Sequence, residues 1–271
     1  LEVHTLADGD ILRAGEPVMH ITGPYAYVAH LESVYLGILS RRTLVATNVR
    51  RAVNAAQGKP VFFFADRFDY LLNQEGDGYA AHVGGVAGVC TPAHGAWWKG
   101  KPVGTIPHAL IAMNGGDTVK AAKQFVKHYP KIPLIVLADY HNDCVGTAVA
   151  VADALGDRLW GVRLDTSSDI VDVAFAKTIP GGVTPELVRL VRLALNNAGR
   201  KKVKILVSGG FTEEKIQTFE RAHASVDAYG VGSSLLKGGN DFTADIVMVN
   251  GKKQAKVGRT FASSDQLKQV L

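Results

Sequence analysis

The residues of this chain that could do chemistry follow short apolar runs. Residues 203–207 form one such run and lead into Ser208, Gly209 and Gly210, whose backbone N–H groups we expect to be open to a ligand. The run at 227–231 contains Gly230 and leads into Gly232. Glycine lets backbone N–H groups approach an anion, and a helix that begins after the first turn adds the positive end of its dipole. Tight turns alone also use glycine, but two such ends on consecutive strands favour a phosphate-binding site.

Other predicted strand ends carry, within or just after the apolar run, side chains that a hydrophobic core would not select. These are Arg67, Thr105, His108, Asp139, Arg163 and Asp165. Each alone is compatible with a helix cap or an ion pair. In an α/β barrel, however, the carboxyl ends of all strands meet at one face, where the site lies. Two carboxylates, an imidazole and arginines beside a phosphate cradle suit a polyanionic ligand with Mg²⁺, for which Asp139 and Asp165 are the candidate ligands.

The elements that must position these residues alternate along the chain. We predict parallel strands at 61–64, 84–89, 103–105, 134–138, 160–164, 203–207 and 227–231. Helices are expected at 118–129, 144–155, 185–198 and 212–222. Continuously apolar strands that alternate with helices are typical of a parallel sheet covered on both faces. The predicted fold class is α/β, an irregular TIM-like barrel of about seven parallel strands.

A smaller α/β domain is predicted from the two ends of the chain. Residues 8–23 alternate turn residues with β-prone pieces, and helices are expected at 26–39 and 43–56. Near the C-terminus, Asn250-Gly251 predicts a hairpin that returns to this layer. The expected domains are therefore 1–58 plus 241–271 for the small domain and 59–240 for the barrel.

Composition narrows the class of protein. The 271 residues are 47% hydrophobic and 20% charged, which suits a well-buried globular core. The net charge is +5, and the lysines and arginines are scattered along the chain without a basic cluster. We therefore expect an anionic small molecule as ligand and no nucleic acid. No apolar run reaches the roughly 20 residues that cross a membrane, so we expect no membrane association and a cytoplasmic location. The two cysteines, Cys90 and Cys144, are expected to be buried thiols.

Six motifs in order resemble one enzyme family, that of the nicotinate and quinolinate phosphoribosyltransferases. They are "GTIPHALI", "LADYHND", "GVRLDTSSD", "VSGGFTEEKI", "VDAYGVGSSL" and "TADIVMVNGKKQAKVGR". The segments "LADGDILRAGEPVMHITGP" and "LESVYLGILSRRTLVAT" are similar to the small domain of the same family. The resemblance is strongest to its nicotinate branch and covers nearly the whole chain.

The resemblance implies a reaction and a role for each candidate residue. The reaction is transfer of 5-phosphoribosyl from phosphoribosyl pyrophosphate to nicotinate, giving nicotinate mononucleotide and pyrophosphate in NAD biosynthesis, with Mg²⁺ as cofactor and ATP as co-substrate. The glycine-bearing strand ends would hold the 5′-phosphate, and Arg67 would clamp the nicotinate carboxylate. His108 matches a histidine that is phosphorylated from ATP. Arg41 matches an arginine that reaches a neighbouring subunit's site, which implies a homodimer.

Three alternatives stay open. The family places a second basic residue and a histidine after its clamp arginine, whereas this chain has Phe68, Asp69 and Tyr70. This departure would suit a non-catalytic paralogue that binds a phosphate or nucleotide. Quinolinate as the acceptor would require a more basic pocket for its second carboxylate. A Schiff-base aldolase is disfavoured because no lysine stands alone at an apolar strand end.

Overall fold

The computed structural model describes residues 1–175 and 181–271. The strands in chain order are β1 (Glu2–Thr5), β2 (Met19–Thr22), β3 (Val61–Phe63), β4 (Gly88–Val89), β5 (Leu134–Leu137), β6 (Leu159–Leu164), β7 (Lys204–Val207), β8 (Ala228–Val231), β9 (Met248–Val249), β10 (Lys252–Lys253) and β11 (Lys268–Gln269). The α-helices are α1 (Glu32–Ala55), α2 (Gln74–Gly84), α3 (Pro92–Gly95), α4 (His108–Met113), α5 (Thr118–His128), α6 (Cys144–Leu155), α7 (Pro185–Asn197) and α8 (Glu213–Arg221). Two compact units result, Leu1–Ala46 with Gly238–Leu271, and Thr47–Lys237.

The first unit joins the two ends of the chain in one sheet. Strand β1 lies between β2 and β11 and pairs antiparallel with both. The hairpin predicted at Asn250-Gly251 is present as β9 and β10, with positive φ angles of 47° and 75° at its turn. Such angles suit the Asn-Gly turns of two-residue hairpins. The hairpin strands pair with each other, and it is β11 that returns to β1.

The second unit is built on a curled parallel sheet of six strands, in the order β4-β3-β8-β7-β6-β5. The predicted strand at 103–105 is not a strand. Its segment instead makes one parallel bridge to each edge of the sheet, from Pro102 to β4 and from Ile106 to β5. The N–H of Val103 donates to Val89 O at 2.7 Å, and the N–H of Ile106 donates to Ile135 O at 3.0 Å. The segment thereby reaches both edge strands, although glycine and proline limit its ladder to single contacts.

Burial and capping explain the regular elements of the second unit. All four residues of β5 and of β8 are buried, as expected of parallel strands covered on both faces. Four of the longer helices of this unit begin at polar caps whose side chains accept a backbone N–H. These caps are Asp117 for α5, Asp143 for α6, Thr184 for α7 and Thr212 for α8. Each cap satisfies one of the N–H groups that a helix start leaves without a partner.

The structure corrects two predicted elements. The helices expected at 26–39 and 43–56 are one helix, α1, preceded by two short 3₁₀ turns. The strand expected at 84–89 shrinks to β4, because Gly84 ends α2 and Gly85 takes a left-handed φ of 103° as its C-cap. Within the described residues, no helix is long and apolar enough to cross a membrane.

Candidate active site

Arg163 organises a polar network at the carboxyl edge of the six-stranded sheet. It lies near the end of β6, and its guanidinium donates from Nε to Ser208 Oγ at 2.7 Å and from Nη1 to Thr105 Oγ1 at 3.0 Å. Its Nη2 lies 3.1 Å from Asp165 Oδ1. Ser208 Oγ in turn donates to Asp165 Oδ1 at 2.6 Å. The structure therefore brings four of the predicted site residues into one hydrogen-bonded group.

The turn after β7 offers backbone donors beside this network. The N–H groups of Gly209 and Gly210 have no hydrogen-bond partner among the described residues. Both glycines have positive φ, 85° and 67°, which other residues rarely adopt. The prediction of an open N–H at Ser208 is wrong, since this group donates to Leu164 O at 2.9 Å as part of the sheet. The free donors thus begin at Gly209, and Ser208 serves the network through its hydroxyl.

His108 and Asp139 form a second pair at the same edge. His108 opens α4, Asp139 follows β5, and Nε2 of the imidazole lies 3.2 Å from Oδ2 of the carboxylate. The hydrogen bond to Asp139 raises the pKa of His108, so the imidazole holds its proton to higher pH than usual. The other oxygen of Asp139, Oδ1, is buried and has no hydrogen-bond partner in the described structure. A buried carboxylate oxygen without a partner is costly unless a ligand or cation satisfies it.

Aromatic rings line the strand ends next to the glycines. Phe64 lies directly after β3, and the guanidinium carbon of Arg163 stands 5.1 Å from the centre of its ring. A Cβ at Gly230 would lie 2.6 Å from that ring, so only glycine leaves room for it. Phe68 likewise packs against Gly232, where a Cβ would come within 2.8 Å of the ring. These contacts give Gly230 and Gly232 a packing role, and their predicted contact with phosphate stays a prediction.

Residues 67–70, where the chain departs from the family pattern, are exposed, and Arg67 and Asp69 contact neighbouring residues of the same segment. The guanidinium carbon of Arg67 lies 5.7 Å from the centre of the Phe68 ring, so the candidate clamp rests on its neighbour. The carboxylate of Asp69 accepts the N–H of Tyr70 at 2.6 Å and the side-chain amide of Asn73 at 3.2 Å. These bonds tie the Asp69 carboxylate to its own turn.

The cysteines do not supply a nucleophile. Both are free thiols, with Cys144 buried as predicted and Cys90 only partly buried. Burial raises the pKa of Cys90 to about 12, and it also raises the pKa of Cys144. Because the thiolate is the reactive form, neither side chain is activated at neutral pH.

A surface depression of about 350 Å³ lies elsewhere, at the edge where strands β5, β6 and β7 begin. Its lining includes Ile132, Arg158, Trp160, Lys202 and Lys204. None of the predicted site residues lines it. The chemistry-bearing groups therefore concentrate at the opposite, carboxyl edge.

Comparisons with known proteins agree with this geometry. Residues 1–43 match the model of the quinolinate phosphoribosyl transferase N-terminal domain. The chain is 28% identical over 252 residues to a nicotinate phosphoribosyltransferase of Mycobacterium tuberculosis and 24% identical over 236 residues to that of Bacillus subtilis. The crystal structure of nicotinate-nucleotide pyrophosphorylase from Pyrococcus furiosus superposes with a TM-score of 0.85 at 38% identity and covers 96% of this chain. These matches support the resemblance of the chain to the nicotinate and quinolinate phosphoribosyltransferase family.

The extent of these matches differs between the chain and its relatives. The alignments cover 91% of this chain but 52% of the M. tuberculosis enzyme, and 86% of this chain but 45% of the B. subtilis enzyme. The P. furiosus protein is covered over 64% of its length. The chain thus spans about half the length of the curated relatives that it matches.

The structure divides the predicted site residues into groups that the sequence alone did not separate. Thr105, Arg163, Asp165 and Ser208 form one network, and His108 pairs with Asp139. Arg41 lies on α1 within the first unit. Sequence reasoning missed Phe64, although an aromatic residue at the end of a predicted strand was a usable signal. It also missed Lys215, whose ammonium lies 3.1 Å from Gly209 O.

The His108 and Asp139 pair yields a direct prediction. Replacing Asp139 by asparagine should lower the pKa of His108, because the hydrogen bond to the carboxylate is the main cause that raises it. The raised pKa means that the pair stabilises the fold below the unfolded-state pKa of histidine and loses that effect as pH rises through the folded value. Titration of the His108 ring proton signals by NMR measures the shift. An Asp153→Asn control, which removes a carboxylate paired with Arg200, should leave the His108 titration unchanged. If His108 had the same pKa in Asp139→Asn as in the wild type, the hydrogen bond to Asp139 would not be the cause of the raised pKa.

Proposed function

We propose that the protein transfers a 5-phosphoribosyl group from phosphoribosyl pyrophosphate to nicotinate, releasing pyrophosphate and forming nicotinate mononucleotide in NAD biosynthesis. The named activity of the M. tuberculosis and B. subtilis relatives supports this proposal. The observation on which it rests is the group of Arg163, Asp165 and Ser208 next to the unpartnered N–H groups of the following turn. A candidate anion site and a carboxylate held by hydrogen bonds would thus lie side by side, which suits a phosphoribosyl donor.

The two halves of this arrangement suit two parts of the donor. Backbone N–H groups at Gly209 and Gly210 would bind the 5′-phosphate, together with the N-terminal end of α8. Displacement at the anomeric carbon passes through an oxocarbenium-like state, which a nearby carboxylate stabilises. Asp165 is the candidate for this role, because Arg163 and Ser208 fix its position. Arg67 would pair with the acceptor carboxylate through its planar guanidinium.

The same site could bind Mg²⁺ through one or two carboxylates together with the substrate phosphates. Within residues 1–175 and 181–271, no three His, Cys, Asp or Glu side chains group closely enough to hold a metal alone. Magnesium bound to phosphorylated substrates commonly takes one or two carboxylates, with phosphates and water completing its shell. The unpartnered Oδ1 of Asp139 could serve as such a carboxylate ligand to the ion, and Asp165 is the second candidate. The ion, when bound, would neutralise charge on the leaving pyrophosphate.

Two further features are proposed from the family resemblance. ATP would phosphorylate His108 and couple its hydrolysis to turnover. The half-exposed imidazole, held through Nε2 by Asp139, is compatible with a reaction at its other nitrogen. A homodimer would carry Arg41 of each subunit to the partner's site.

Quinolinate is a second candidate acceptor. The match of residues 1–43 to a quinolinate phosphoribosyl transferase domain favours it. A second carboxylate would need another cation beside Arg67, and the residues that follow it are Phe68 and Asp69. Nicotinate, with one carboxylate, therefore remains the preferred acceptor.

The deciding experiment is pyrophosphate release from phosphoribosyl pyrophosphate and Mg²⁺, with nicotinate, quinolinate and nicotinamide offered separately, each with and without ATP. We expect release with nicotinate and a higher rate with ATP. Release with quinolinate alone would mean that the acceptor of the phosphoribosyl transfer is quinolinate and not nicotinate. If the folded protein binds phosphoribosyl pyrophosphate but releases nothing with any acceptor, it is a phosphate-binding paralogue and the proposed activity is wrong.

A further inference from the structure

Lys215 occupies a position that is unfavourable for a lysine. It lies in the first turn of α8, where the helix dipole disfavours a cation. Its side chain is partly buried, and burial lowers the pKa of its ammonium. Among the described residues no carboxylate forms an ion pair with it, whereas Lys59 in the same unit pairs with Glu220 at 2.8 Å. The fold alone therefore gives little reason for a charge here.

The contacts of Lys215 point toward the turn after β7. Its Nζ donates to Gly209 O at 3.1 Å and stands 4.5 Å from the centre of the Phe211 ring. Both partners accept a cation without neutralising it. A full positive charge is thus held directly beneath the Ser208-Gly209-Gly210 turn.

The bond to Gly209 O also fixes the next N–H group. The carbonyl of Gly209 and the N–H of Gly210 belong to one planar trans peptide and point in opposite directions. A cation on the carbonyl therefore orients the Gly210 N–H away from Lys215 and polarises it as a donor. That N–H has no partner among the described residues.

We infer that Lys215 is a positioning residue that holds the Gly209–Gly210 peptide and supplies the positive charge with which this turn binds the 5′-phosphate of the donor. The inference rests on the proposed function, since it assigns the charge of that same anion site. It explains why an unpaired lysine is kept in the first turn of α8. Glu213 and Glu214 lie in the same helical turn, but neither forms an ion pair with Lys215 in the described structure, and an anion at the turn would provide a counter-charge.

Three variants test the inference. Lys215→Met keeps the length and apolar stem of the side chain, Lys215→Arg keeps the charge, and Lys202→Met removes an exposed lysine from the opposite edge of the sheet. Calorimetric titration of ribose 5-phosphate, inorganic pyrophosphate and phosphoribosyl pyrophosphate then measures each ligand contact separately.

We expect Lys215→Met to weaken ribose 5-phosphate binding on the order of ten- to hundredfold, because the charged hydrogen bond that holds the Gly209 carbonyl, and with it the Gly210 N–H, is lost. Pyrophosphate binding should change less than about twofold, and KM for phosphoribosyl pyrophosphate should rise more than kcat falls. Lys215→Arg should restore most of the affinity, and Lys202→Met should match the wild type. The melting temperature of Lys215→Met should change little, because the loss of the hydrogen bond to Gly209 O is offset by the removal of a partly buried cation that has no ion pair.

The outcomes separate this inference from the proposed function. Wild-type protein that binds neither ribose 5-phosphate nor phosphoribosyl pyrophosphate overturns both. Wild-type binding with unchanged affinity in Lys215→Met overturns the inference alone and leaves the phosphoribosyl site in place. If both Lys215→Arg and Lys215→Met had a lower melting temperature but bound ribose 5-phosphate as tightly as the wild type, the lysine would have a purely structural role.

Discussion

Replacing Asp165 by asparagine should lower kcat for pyrophosphate release by about 10²- to 10³-fold while the protein stays folded. Asparagine keeps the shape of the side chain and can still accept one hydrogen bond, so Arg163 retains its bonds to Ser208 and Thr105. The substitution removes the negative charge that we assign to stabilising the oxocarbenium-like state. Since this charge matters most in the transition state, KM for phosphoribosyl pyrophosphate should change much less than kcat.

The matched control for this variant is Asp227→Asn. Asp227 is a partly exposed carboxylate that pairs with Lys204 at 2.9 Å, and it accepts the N–H of Ile205 at the opposite edge of the sheet. Its replacement changes the net charge equally and should alter kcat less than about twofold. Steady-state kinetics and thermal unfolding of both variants make the comparison. Equal kcat in Asp165→Asn and wild type would remove Asp165 from the reaction.

The location of the site could be read from the sequence because parallel strands share a direction. Arg163, Asp165 and Ser208 are separated by up to 45 residues, yet each stands at the end of an apolar run. Once the runs are taken as parallel strands, their ends must meet at one edge. The structure adds the specific bonds, which depend on side-chain reach and could not be derived from spacing.

Other features depended on geometry that local patterns do not encode. The predicted helices ended at 39 and began again at 43, but Ser40, Arg41 and Arg42 tolerate helical geometry and α1 continues through them. The donor pattern of the turn after β7 was misassigned at Ser208, because its N–H completes the ladder to Leu164. Lys215 had no visible role in the sequence, because the contacts of its ammonium with Gly209 O and the Phe211 ring exist only in three dimensions. Sequence patterns thus predicted the edge of the sheet at which the site lies, but not the position of the Lys215 charge next to the turn.

A comparison of Gly209→Ala with Gly210→Ala should show that close packing fixes the anion-binding turn. Both glycines have positive φ, so both substitutions should lower the free energy of unfolding by about 1–2 kcal/mol through backbone strain alone. The space around them differs. A Cβ at Gly209 would lie 3.1 Å from Asp165 O and 3.2 Å from Thr166 O, whereas a Cβ at Gly210 meets nothing within 4 Å. Overpacking should therefore cost Gly209→Ala roughly a further 1–3 kcal/mol.

Denaturant unfolding of the two variants measures this difference, and ribose 5-phosphate titration measures its consequence. The clash at Gly209 is with backbone oxygens, which cannot rotate away as a flexible side chain would. Relief requires that the turn move away from Asp165, which would also displace the Gly210 N–H and the carbonyl held by Lys215. We accordingly expect weaker binding of ribose 5-phosphate in Gly209→Ala together with the larger loss of stability. Equal stability losses in the two variants would mean that the turn can shift freely, and its N–H groups could not then be a preorganised phosphate site.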